Sequence, residues 1–148
     1  MISLSVQRDD FDPGTELAAL EALGGGGVAS FTGIVRGDGG LTQLALDHYP
    51  GMTERALESI AKQAMARWPL LGLRVVHRIG GLAPGDRIVF VGTASRHRTA
   101  ALESCAFLID WLKTRAPFWK KERFDDGRET WVEALPEDEA KTEGWRQA

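Results

Sequence analysis

Apolar residues at Ile2, Leu4 and Val6 recur with period two, which predicts a first strand. Asp12-Pro13 reads as an N-cap followed by proline at the first helical position, and Leu17, Leu20 and Leu23 supply the apolar face of a short helix. Gly24 to Gly27 end that helix; with no Lys-Ser/Thr after them, a flexible turn is expected rather than a phosphate loop. Val28 to Arg36 is β-rich and predicts a strand, Gly37-Asp38-Gly39-Gly40 a turn, and Leu41 to Tyr49 the next strand. Thr53 is placed to cap a helix that carries Leu57, Ile60, Ala61, Ala64 and Trp68 on one face, until Pro69 stops it. Leu73 to Ile79 and Arg87 to Ala94 read as two more strands, separated by the turn signal Pro84-Gly85-Asp86.

A second long helix is expected from about Arg98 to Arg115, with Ala101, Cys105, Leu108 and Leu112 at spacings of three and four on its buried face. Pro117 disfavours a helical Ala116 and so ends it. Phe118 to Phe124 and Glu129 to Ala134 flank Asp126-Gly127, a hairpin signal. The charged residues from 136 to 148 read as a frayed helix or tail. Strands and helices mix without strict alternation, so the expected class is α+β, in one domain spanning residues 1–148.

Composition narrows the function. A chain of 148 residues with 43% hydrophobic and 26% charged content is ordinary for a single-core globular domain. Its net charge of -3 argues against a general nucleic-acid or anionic-membrane binder, so anion binding must come from local basic clusters. The single cysteine, Cys105, excludes an intrachain disulfide, and no apolar run approaches the roughly 20 residues that span a bilayer. The N-terminus lacks the pattern of a signal peptide, and a cytoplasmic protein is expected.

Three segments are candidates for chemistry. Ser95-Arg96-His97-Arg98 lies at a strand-to-helix junction, where backbone N–H groups and arginines suit an anion; a solvated cap with surface arginines fits the same residues. Lys113 and Lys120 lie on either side of Pro117 among apolar and aromatic residues. A lysine held there beside other cations suits acid, base or nucleophile chemistry, while lysines that merely favour the helix dipole are the simpler reading of the same residues. Gly33 within Phe31-Thr32-Gly33-Ile34-Val35-Arg36 permits close approach of a ligand, and Arg36 ends the strand at a glycine-rich turn. His48, His77 and His97 match no metal-ligand spacing, and no metal or cofactor is expected. Ser95 with His97 lacks the context of a nucleophile elbow, and Cys105 reads as core.

Taken in order, Phe31–Arg36, His48-Tyr49-Pro50-Gly51-Met52, His77-Arg78-Ile79-Gly80, Gly85-Asp86, Ser95–Arg98, Leu112-Lys113 and Pro117–Glu122 resemble the large, catalytic subunits of molybdopterin synthases. The resemblance covers roughly residues 28–134 and implies an α/β-hammerhead-type fold with an additional antiparallel β subdomain. It implies a sulfurtransferase of molybdenum-cofactor biosynthesis that converts cyclic pyranopterin monophosphate to the molybdopterin dithiolene. Sulfur would come from the C-terminal thiocarboxylate of a small ubiquitin-like carrier subunit, supplied in trans. Assembly would be a homodimer, becoming a heterotetramer with two carriers. Carried over by position, Lys113 and Lys120 would be catalytic; Arg36, His97 and Arg98 would hold phosphate and pterin; Lys121 and Glu122 would complete the wall near Lys120, and Ile34 and Val35 would lie beside the substrate. The sequence departs from the pattern at Asp47, where glutamate is usual, at the short turn 37–40, and at Leu135, where some relatives have arginine. The rival reading is a non-catalytic anion-binding or carrier-docking scaffold of the same fold, and retention of both lysines argues against it.

Overall fold

The computed structural model describes residues 1–147. The elements run β1 (Ile2–Gln7), α1 (Pro13–Glu21), β2 (Gly27–Ile34), β3 (Leu41–His48), α2 (Met52–Arg67), β4 (Leu70–Arg78) and β5 (Gly80–Leu82), then β6 (Arg87–Ser95), α3 (Arg98–Thr114), β7 (Phe118–Phe124), β8 (Glu129–Trp131) and α4 (Pro136–Gln147). They build two four-stranded sheets, ordered β1-β4-β6-β2 and β5-β3-β7-β8. Among the described residues only the β1–β4 pair is parallel. This is the expected α+β class.

The first sheet is covered on both faces, which explains why its central strands read as nearly continuous apolar runs. Leu73 and Val75 of β4 and Val91 of β6 point to one side and join the core made with α2 and α3. Val76, Phe90 and Ala94 point to the other and pack with Phe11 and Leu20 beneath α1. Asp12 caps α1 as its sequence implies: its Oδ1 accepts the Gly14 N–H at 3.0 Å, with Pro13 next in line. The second sheet has its own small core of Val35, Leu41, Leu46 and Leu82.

Two local expectations change. Thr53 does not cap α2. The helix starts at Met52, after Gly51 with a φ of 83°, and the Gly51 N–H donates to the Glu54 carboxylate at 2.9 Å. Thr53 is instead fully buried; its hydroxyl accepts the Tyr49 N–H and donates to the Pro117 carbonyl at 3.0 Å, tying α2 to the segment after α3. The glycine run is also not a loose turn. A Cβ on Gly25 would overlap the Ser95 carbonyl, and one on Gly26 would overlap the Arg96 carbonyl. The run lets two backbones approach at the end of β6, so Gly26→Ala is expected to destabilise the fold by about 1–3 kcal/mol. A lowered denaturant midpoint with unchanged slope is the check.

The charged C-terminal segment forms α4 and is anchored to α3. Trp145 Nε1 donates to an Asp110 carboxylate oxygen at 2.7 Å, and Thr142 Oγ1 donates to the Asp110 carbonyl at 3.0 Å. The Trp145 ring meets Trp68 and Phe107 edge-on, and Arg67 lies over it at 5.2 Å.

Candidate active site

A pocket of about 380 Å³ opens where α3, β2 and the second sheet meet. Its polar lining comes from four separate segments: Arg36 after β2, His77 near the end of β4, Lys113 in the last turn of α3, and Lys120 in β7. The rest of the wall is largely apolar and includes Phe31, Ile34 and Ile109. Lys120, largely buried against that wall, is the poorly solvated charge among them, which strengthens its action on any anion that enters.

The two lysines meet because the chain reverses between them. Arg115 closes α3 by donating its N–H to the Trp111 carbonyl, Pro117 follows, and β7 begins at Phe118. Thr53 holds the Pro117 carbonyl, so the reversal is fixed from α2. Burial lowers the pKa of Lys120 from its usual lysine value, and the charge of Lys113 lowers it further, against an opposing pull from Asp138. Among the described residues neither lysine has an ion-pair partner.

Ile34 and Arg36 reach the pocket by an irregularity. The register between β2 and β6 shifts between Gly33 and Ile34, and this bulge re-aims Ile34. A Cβ on Gly33 would press on Val89 Cγ1 at 2.8 Å, so the glycine does serve a close approach there. Arg36 is 86% exposed, and its contact with Asp38 is a 3.5 Å surface pair of the kind that contributes little. It is therefore available to a ligand at the mouth of the pocket.

Other expected site residues do not converge on this pocket. Val35 is 4% exposed and belongs to the small core of the second sheet. Lys121 sits on the opposite face of β7 from Lys120, because successive strand residues alternate. It pairs with Glu129 and lies over the Trp131 ring, lining a groove with Trp119 and Arg123. Glu122 shares the parity of Lys120 but lies further along β7, opposite Thr130, and does not line the pocket. His97 and Arg98 are exposed at the start of α3, against Gly27 at the beginning of β2. Ile34 ends that eight-residue strand, so roughly 25 Å separates the two groups within one chain. Ser95 is no nucleophile: it is 1% exposed and donates to the Pro69 carbonyl. Burial pushes the Cys105 thiol up to about 12, in keeping with a core residue.

Sequence reasoning gave His77 no role in the site. It follows Leu73 and Val75 at alternate positions, and that parity was the available signal that it shares their face of the sheet, the one that packs against α3.

The sequence model of the MoaE protein family matches residues 6–115 of this chain. The chain belongs to the MoaE family. This MoaE protein is 52% identical over 151 residues to the molybdopterin synthase catalytic subunit of Pseudomonas aeruginosa, covering 99% of the chain and 100% of that relative. It superposes on the solved MoaE protein from Burkholderia ambifaria with a TM-score of 0.84, at 48% identity and 99% coverage of both chains. A molybdopterin synthase structure from Staphylococcus aureus gives a TM-score of 0.78 at 29% identity, covering 86% of this MoaE chain and 94% of that one.

Proposed function

We propose that this MoaE protein is the catalytic subunit of a cytoplasmic molybdopterin synthase. It transfers sulfur from the thiocarboxylated C-terminus of a ubiquitin-like carrier to cyclic pyranopterin monophosphate. The observation that carries this reading is the meeting of Lys113 and Lys120, from different elements, in one pocket with Arg36. A thiocarboxylate and a phosphorylated pterin are both anions and repel as they approach. Three cationic side chains on a largely apolar wall offset that repulsion and stabilise charge that develops at the carrier's terminal carbonyl.

The separation of His97 and Arg98 from Arg36 has a natural resolution in a homodimer. β2 is an edge of the first sheet and exposes Phe31 and Ile34. Antiparallel pairing of β2 with β2 of a second copy would set the beginning of one strand beside the end of the other. His97 and Arg98 of the second copy would then stand near Arg36, and the substrate's phosphate would lie between subunits.

The deciding experiment is single-turnover conversion of cyclic pyranopterin monophosphate with excess thiocarboxylated carrier. Dithiolene product is expected. Carrier binding without any conversion would leave the scaffold reading instead. Mixing an Arg36→Ala chain with a His97→Ala/Arg98→Ala chain should restore activity that neither has alone; absence of restoration would rule out the shared site.

A further inference from the structure

Among the residues that line the pocket, His77 is the sole uncharged polar side chain. It is 3% exposed, at the floor, whereas Arg36 stands at the mouth. Its Nδ1 lies 2.8 Å from the Arg78 carbonyl. A carbonyl only accepts, so this partner assigns the proton to Nδ1 and leaves Nε2 with a lone pair. Nε2 has no hydrogen-bond partner among the described residues.

The ring is held in that state and that orientation. One face stacks on Phe118, with centroids 3.8 Å apart and planes 15° from parallel. Burial holds the imidazole pKa down at about 4; the Arg78 carbonyl opposes this, and the charges of Lys120 and His48 add to it. His77 is therefore neutral at physiological pH and presents an acceptor. Arg36, Lys113 and Lys120, the other polar side chains of the wall, are cations and present only donors. A purely anionic ligand would use those three and leave Nε2 unpaired, which is costly in a buried site.

We infer that His77 sets substrate orientation: its Nε2 accepts a hydrogen bond from a ring or amino N–H of the bound pterin, with the phosphate held toward Arg36. This rests on reading the pocket as the pyranopterin site. The reduced pterin carries several N–H donors, whereas the ionised cyclic phosphate carries none and only accepts, so one neutral acceptor at the floor and cations toward the mouth read the two ends of the molecule differently.

The test is calorimetric titration of the full chain with cyclic pyranopterin monophosphate and, separately, with inorganic phosphate. His77→Phe keeps a ring to stack on Phe118 and removes the acceptor. It is expected to raise the pyranopterin Kd about tenfold, the scale of one lost hydrogen bond. Phosphate affinity and carrier docking should stay unchanged, and in turnover KM should rise more than kcat falls. His77→Gln, whose amide oxygen can approach the place of Nε2, should recover most of the affinity; a merely structural role would not show that rescue. Should His77→Phe fail to fold, His77→Asn carries the same titrations, because its amide can serve the Arg78 carbonyl but stops short of Nε2. An unchanged pyranopterin Kd in the folded variant, or an equal loss of phosphate affinity, overturns the role of His77. Wild-type protein that binds no pyranopterin overturns the functional reading itself, and is told apart by the first titration.

Discussion

Lys113→Ala is expected to lower the single-turnover rate of sulfur transfer by about 10²–10³-fold, the scale on which removal of one preorganised charge-stabilising donor acts. Lys113 is the cation that α3 delivers to the pocket, and no other cation of that helix lines it. The alanine variant should fold normally. Lys113 is exposed, lies in the last helical turn and belongs to none of the buried clusters, so its loss should change stability by no more than about 0.5 kcal/mol. Carrier binding measured alongside separates loss of chemistry from loss of docking. Near-normal conversion by Lys113→Ala would remove the residue from the mechanism.

Lys120→Ala is the second large effect, and the electrostatics around Lys120 give it a signature of its own. Burial and the neighbouring charge of Lys113 both disfavour its protonated form, while Asp138 favours it. The pH dependence of Lys120 labelling by an amine-reactive reagent, read by peptide mass spectrometry, should show a midpoint below the ordinary lysine value. Lys113→Ala should raise that midpoint, because a repelling cation is gone. Asp138→Asn should lower it, because an attracting anion is gone. The same shift has a stability consequence with a definite sign. A lysine with a depressed folded pKa binds fewer protons in the native than in the unfolded state. Stability therefore rises with pH between the folded value and the unfolded value of about 10.4, and is reduced below the folded value. In Lys120→Met that rise should be absent. Lys120→Ala should cut turnover by about tenfold or more, while Lys121→Ala should leave it nearly unchanged, since Lys121 faces the groove on the other side of β7. Equal losses in the two variants would contradict the assignment of Lys120 alone to the pocket.

Much of the fold could be read along the chain because its elements carry local signals. Asp12-Pro13, the period-two run at Ile2–Val6, and the spacing of Ala101, Cys105, Leu108 and Leu112 each reflect a constraint that neighbouring residues alone impose. β5 escaped notice because Gly80–Leu82 is three residues long, two of them glycine, and exists only through pairing with β3. Thr53 looked like a cap because a threonine before an amphipathic run usually is one; its hydroxyl was claimed instead by Tyr49 and by the carbonyl of Pro117, distant in sequence.

What the amino-acid sequence determined by itself was every element but β5, the mixed class, the lysine pair around Pro117 and, through the order of its motifs, the family. What only the tertiary structure decided was which of the polar residues share a space. Alternation along β7 dictates that Lys120 and Lys121 point apart, but which face meets a pocket depends on how the second sheet packs against α3. Likewise, Arg36 and His97 belong to segments that each suit an anion, yet β2 runs between them as a rigid spacer and sends them to opposite ends of the sheet. His77 was hidden for the same reason: its neutral state and free acceptor come from burial, the Arg78 carbonyl and Phe118 stacked on its ring, and the last of these arrives from 41 positions further along the chain. Secondary structure is set by contacts a few residues apart, whereas a site is an intersection of distant segments, and its chemistry appears only when packing closes them on one another.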